Sequence, residues 1–340
     1  MNPSGARVSQ SNLKVLYITG WCRNGSTIIG NVLNEVKGFF HTGELSFLWK
    51  NAYGNGSNTF CGCGEALTRC GVWSKVLEEE TPPGQTPASH AREIVKRQTR
   101  AVRTRHTWSI LRDGTRAEDV REYAAMLSRT YHAIAKVTGS HTLVDSGKLP
   151  SEAALLPHVE GITPYFLYLV RDPRAAAHSW TKTKQYVVPM SAFRSTAYWV
   201  GFNLASEAII RRYPDRSFFL RYEDFIADPA NVVQALLELV GAGDATNPVK
   251  GRTVDLGKNH TVTGNPDRFR NGPTLLRPED DGWRKELPAR ARSITQALSW
   301  PLMARYGYFQ PPRTQARQGV DSKTATNDTR EDIRGTGTGR

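Results

Sequence analysis

Long apolar runs are missing from this 340-residue sequence. No stretch approaches the ~20 apolar residues of a membrane span, and the opening MNPSGARVSQSN has no apolar core of the kind a secretory leader carries. A soluble, cytoplasmic protein is the expectation, with no transmembrane segment. Cysteine is scarce, at four residues. Three of them crowd into CGCGEALTRC as Cys61, Cys63 and Cys70. This is C-x-C plus one, with no histidine inside the cluster, whereas structural zinc usually takes C-x-x-C pairs and four ligands. A local disulfide or buried thiols in a glycine-rich loop are preferred to a metal, and the spacing leaves all three open.

Acid is also in short supply: 32 Asp and Glu stand against 45 Lys and Arg, a net charge of +13. Such a balance favours anionic partners. Residues 92–105, REIVKRQTRAVRTR, hold six basic residues and one acid. They read either as a solvated helix face or as a docking patch for an anionic or membrane-associated acceptor. Nucleic acid is not expected, because no aromatic interleaving or binding motif accompanies the charge. Apolar residues at 39% and charged residues at 23% are those of an ordinary globular enzyme.

What is there alternates. KVLYIT (14–19), HTLVD (141–145), YFLYLV (165–170) and SFFLRY (217–222) read as buried strands. Helical spacing follows over 26–36, 116–137, about 189–212, 229–240 and through ALSWPLMARYGY. The pattern predicts an α/β fold: a parallel central sheet flanked by helices, in the three-layer arrangement of P-loop nucleotide-binding proteins. One domain is expected over 13–310, interrupted by an irregular Cys/Gly-rich insertion at about 51–71 and a linker at 81–89. The stretches 1–12 and 311–340 have too few large apolar residues to order themselves.

Between the first strand and its helix stands GWCRNGST (20–27). Gly20, Gly25, Ser26 and Thr27 fit the phosphate-loop pattern G-x-x-x-x-G-K-[ST] except at the lysine, where Ser26 stands. A glycine turn entering a helix aims backbone N–H groups and the positive end of the helix dipole at one point, so the backbone of Asn24 and Gly25 with the hydroxyls of Ser26 and Thr27 can cradle one phosphate. Without the lysine there is no phosphate chain to follow. The third strand ends in RDPRAAAHSW. Asp172 and Pro173 suit a helix start. Arg171 stands at the carboxyl end of a parallel strand, where open α/β sheets bind ligands, and Ser179 lies two turns past Asp172 on the same face. Together they can hold a second phosphate. Nearby, His178 reads as packing or as a support behind the phosphate contacts, and Trp180 and Tyr186 read as the wall of an acceptor pocket or, as is commoner for aromatics so placed, as core.

Two separate phosphate places and no triphosphate lysine resemble the sulfotransferases that use 3′-phosphoadenosine 5′-phosphosulfate. GWCRNGST resembles that family's 5′-phosphosulfate loop, with Arg23 as its basic residue, and VRDPRAAAHS resembles its 3′-phosphate segment. RYEDF followed by Asp228-Pro229 resembles a third segment, which implies Tyr222 beside the adenine. HTGEL resembles the segment that carries the catalytic base, implying Glu44, with His41 as runner-up. VDSGKLP resembles the segment whose lysine assists sulfuryl transfer, implying Lys148. HTVTGNPDRF with DGWR (281–284) resembles the cofactor-covering segment of the bacterial branch, implying roles for Asn265 and Arg268. The resemblance implies in-line transfer to a hydroxyl or amine of a carbohydrate, lipid-linked glycan or other metabolite, with no metal required. Two other readings remain: a P-loop kinase with Asp145 holding its metal, and a non-catalytic anion-binding module.

Overall fold

The computed structural model describes residues 12–182, 188–276 and 282–309. Residues 1–11 and 311–340, Tyr186 and Asp281, for which the sequence raises expectations, lie outside the described residues. Five strands form one sheet: β1 (Leu13–Thr19), β2 (Phe39–Gly43), β3 (Thr142–Lys148), β4 (Ile162–Val170) and β5 (Ser217–Arg221). Their order is β2-β3-β1-β4-β5, and every neighbouring pair runs parallel. The expected parallel sheet flanked by helices is what the chain forms.

The layers follow from the period of two along each strand. Val15 and Tyr17 of β1 with Phe166 of β4 face one way, into a core shared with the Glu118–Thr138 and Trp73–Glu79 helices. Leu16, Ile18, Leu167 and Leu169 face the other way, against the Ser26–Asn34 and Pro229–Leu239 helices. Residues 15–18 have no accessible surface, which is why KVLYIT reads as a continuous apolar run rather than an alternation.

Several elements differ from the sequence reading. FFHTG forms the edge strand β2; its polar His41 hides the apolar signal. The supposed linker ends in a capped helix, Pro87–Ala101, with Thr86 and Ser89 forming a reciprocal capping box. Within that helix Arg97 is bound by Glu93, Asp119 and Glu122, so part of the basic run at 92–105 is internally neutralised. The late irregular segment is bracketed by an antiparallel pair, β6 (Thr253–Leu256) and β7 (Gly272–Leu275). The stretch between them crosses the sheet edge: Val262 N donates to Thr42 O and Glu44 N to Val262 O, both at 2.8 Å.

The topology places the site. From β1 the chain turns outward to β2, and from β4 it turns the opposite way to β5. The crevice between the carboxyl ends of β1 and β4 is therefore the switch point at which open α/β sheets take ligands.

Candidate active site

Each of the five parallel strands ends on one of the expected residues. GWCRNGST follows β1, Glu44 follows β2, Lys148 ends β3, Arg171 follows β4 and Tyr222 follows β5. They line one cavity of about 1040 Å³ at that edge of the sheet. Its walls include Arg23, Gly25, Ser26 and Thr27 from the loop, and Arg171, Ser179 and Tyr222 from beyond β4 and β5. Glu44, Lys148 and Asn265 complete the set.

The loop has the backbone that anion cradles require. Arg23 has φ +70° and Gly25 φ +90°, and the Ser26–Asn34 helix starts immediately after. A Cβ on Gly25 would sit 2.2 Å from the Tyr222 ring, and one on Gly20 would sit 2.3 Å from Leu169 O on β4. Both positions therefore need glycine. The Asn24 side chain does not face the cavity; its Nδ2 donates to Leu169 O at 2.9 Å and its Oδ1 accepts from Ser26 N. That side chain pins the loop to β4 and leaves only its backbone for a ligand.

The two expected anion places touch. Arg171 Nη1 donates to the carbonyl O of Arg23 at 2.6 Å, and its guanidinium lies 5.4 Å from the centre of the Tyr222 ring. Arg23 lies 5.1 Å from the ring centre of Trp180, and its Nη2 is buried with no hydrogen-bond partner among the described residues. Burial pulls both guanidiniums below their ordinary pKa. Arginine stays charged regardless, so these cations, deprived of water, favour an incoming anion. Trp180, for which the sequence leaves both core and pocket wall open, lines the cavity and is stacked on Trp21.

Opposite them, Lys148 Nζ donates to Glu44 Oε1 at 2.6 Å and to Ser146 O at 3.0 Å. Lys148 has φ +66°, an uncommon conformation for a residue with a Cβ; it turns the end of β3 toward the cavity. His41, the alternative base, is not a cavity residue. It is buried between Asn31 Oδ1 (3.1 Å) and Ser146 Oγ (3.2 Å), and desolvation with the nearby Lys148 charge lowers its pKa to about 3. It is a neutral, buried residue of β2 itself, and Glu44 is the carboxylate at hand.

The covering segment divides the expected pair. Asn265 N approaches Thr27 Oγ1 at 3.5 Å. Arg268, expected to reach a phosphate, is buried and does not line the cavity; it donates to Oδ1 of the cavity residue Asn58 at 2.6 Å. Arg270 lines the cavity instead; no feature of the sequence separates the two arginines. Sequence reasoning also passed over Glu223. It accepts from Asp172 N (2.9 Å) and Tyr308 O–H (3.2 Å), and burial raises its pKa to about 7. It props the turn that presents Arg171.

The sequence profile of the sulfotransferase family matches residues 16–244, more than half of the chain. The chain belongs to the sulfotransferase family. Among solved structures it is similar to a sulfotransferase domain from the curacin biosynthetic pathway, at 16% identity and TM-score 0.47 over 85% of this chain and 97% of that one. It is also similar to a sulfotransferase domain from the Synechococcus PCC 7002 olefin synthase, at 20% identity and TM-score 0.47 over 85% and 94%. No curated protein matches. Sulfotransferases are transferases of sulfuryl groups. No helix among the described residues is long and apolar enough to cross a membrane.

Proposed function

We propose that the cavity binds 3′-phosphoadenosine 5′-phosphosulfate and that Glu44 takes the proton of an acceptor hydroxyl or amine as the sulfuryl group moves to it. One observation carries this reading: the loop after β1 and the arginine after β4 open into a single cavity and touch at 2.6 Å. Two anions of one small nucleotide can be held there together. The orphaned, buried Arg23 Nη2 fits an anionic ligand, and the cavity, at about 1040 Å³, stands at the upper end of ligand-pocket volumes.

The donor supplies a sulfuryl group on a phosphate leaving group. The chain's own residues position and stabilise, as in phosphoryl transfer. The backbone of Asn24 and Gly25 with the hydroxyls of Ser26 and Thr27 holds the 5′-phosphate at the helix start. Arg23 neutralises charge on that phosphate. Arg171 and Ser179 hold the 3′-phosphate, and Tyr222 lies along the base. Lys148 faces the sulfuryl oxygens, while Glu44 keeps Oε2 for the acceptor proton because Oε1 accepts from Lys148. Asn265 and Arg270 close over the site.

The kinase reading loses its metal ligand. Asp145 is buried against Tyr131 O–H (2.8 Å) and Gly147 N (2.8 Å) and is not a cavity residue. A radiolabelled-donor assay over carbohydrate, phenol, amine and lipid-glycan acceptors tests the reading. Transfer to at least one class, lost in Arg23→Ala, is expected. Stabilisation by ATP·Mg²⁺ and not by adenosine 3′,5′-bisphosphate would refute it.

A further inference from the structure

The cysteine cluster acquires a fourth member from the far end of the fold. His260 Nδ1 lies 3.2 Å from Cys70 Sγ and 3.7 Å from Cys61 Sγ, although His260 and Cys70 are 190 positions apart. Cys70 Sγ lies 3.5 Å from Cys61 Sγ and 3.7 Å from Cys63 Sγ. All four ligand atoms fall within 4.8 Å of one another. We propose that Cys61, Cys63, Cys70 and His260 form a structural zinc site that moors the covering segment to the Cys/Gly-rich insertion.

Four of the six separations, at 3.2–3.7 Å, come close to those of a coordination shell. Four ligands placed tetrahedrally at Zn–S about 2.3 Å and Zn–N about 2.0 Å are separated by about 3.5–3.8 Å along the edges. A disulfide would need sulfurs about 2.05 Å apart, and all three thiols are unlinked. Three thiolates with one imidazole form a soft, closed donor set, which selects zinc over calcium or magnesium and leaves no open position for catalysis. Cys61 and Cys70 are fully buried, and none of the four residues lines the catalytic cavity.

The surrounding backbone is built for the same purpose. Cys63 N donates to Cys61 Sγ at 3.5 Å, as a thiolate in a metal knuckle invites. Gly64 N donates to Cys61 O at 2.9 Å, with Gly64 at φ +92°. A Cβ on Gly62 would sit 2.1 Å from Asn259 Oδ1, so glycine lets the two chain segments meet. Trp73 Nε1 donates to the His260 carbonyl at 2.5 Å and orients it. Two residues beyond His260, Val262 accepts from Glu44 N. The metal therefore fixes the segment that carries Asn265 and Arg270 beside the strand that carries Glu44. The local sequence counts against zinc on its C-x-C spacing and on the missing fourth ligand, and the fold supplies the second from a histidine 190 positions away.

This inference is independent of the donor and of the catalytic roles, so its test reads metal and not transfer. The full chain, expressed in zinc-replete medium and gel-filtered, is assayed for metal by mass spectrometry. One zinc per chain is expected. Replacement by Co²⁺ is expected to give the intense visible bands and thiolate charge transfer of a tetrahedral sulfur-rich site. Cys63→Ser and His260→Asn should fall well below one metal per chain. His260→Cys, which rebuilds a four-ligand site, should retain it and keeps the test alive if the other variants fold poorly. Little zinc together with no Co²⁺ spectrum would overturn the proposal, as would a Cys61–Cys70 or Cys63–Cys70 disulfide in the intact native protein.

Discussion

Glu44 and Lys148 hold each other at 2.6 Å in a half-dry corner of the cavity, and this pairing sets the most direct residue-scale prediction. Glu44→Gln removes the proton acceptor while keeping the shape. Turnover is expected to fall at least about a hundredfold, with calorimetric affinity for adenosine 3′,5′-bisphosphate nearly unchanged; a retained rate would remove Glu44 from its role. His41 cannot stand in: it does not line the cavity, and burial beside Lys148 lowers its pKa to about 3, which leaves it a very weak base. Arg23→Ala should abolish transfer in the radiolabel assay, and measurable turnover would reassign the leaving-group contact. At this scale the positions of Glu44, Lys148, Arg171 and Tyr222 were legible, because they stand at or next to strand ends, whereas Ser179 lies on a helix and Asn265 and Arg268 in the covering segment. What was not legible is which way a side chain turns. Asn24 faces β4 and Arg268 faces Asn58, and both depend on partners more than a hundred positions away.

The loop between β1 and its helix is the element on which binding turns. Gly25→Ala forces a Cβ into the Tyr222 ring and costs about 1–2 kcal/mol from the left-handed backbone alone. A lower melting temperature and at least tenfold weaker bisphosphate binding, about 1.4 kcal/mol, are expected. Away from the site, Glu80 accepts from Trp49 Nε1 (2.7 Å) and Thr130 Oγ1 (2.5 Å) and ties three helical segments together. Burial raises its pKa from the ordinary 4.5 to about 7. The folded state thus holds a proton that the unfolded state releases over that window. This group's stabilisation is complete below about pH 4.5, declines as pH rises, and levels off above about pH 7. Relative to Glu80→Gln, the wild type should lose about 3 kcal/mol across that window in urea titrations; parallel profiles would contradict this. Strand β2 escaped the sequence reading for a related reason. His41 interrupts FFHTG, and its burial is satisfied by Asn31 and Ser146, which only the fold brings near.

Across the whole molecule, a sheet of order β2-β3-β1-β4-β5 buries one core on each face and leaves the carboxyl edge to chemistry. The layers and the parallel sheet were readable from apolar runs alternating with helical periods. The cover was not, because residues 257–271 carry no period of their own and take their shape from the edge of β2 and from the cysteine cluster. The central claim is that one nucleotide is gripped at both anions in the crevice between β1 and β4. Calorimetric titration of wild type and Arg171→Ala with adenosine 3′,5′-bisphosphate and with adenosine 5′-monophosphate tests it most directly. Loss of a charge-assisted contact should weaken the bisphosphate about 10- to 100-fold and leave the monophosphate within about fivefold. If Arg171→Ala binds the bisphosphate as tightly as wild type, or weakens both ligands equally, the 3′-anion is not held there and the account fails.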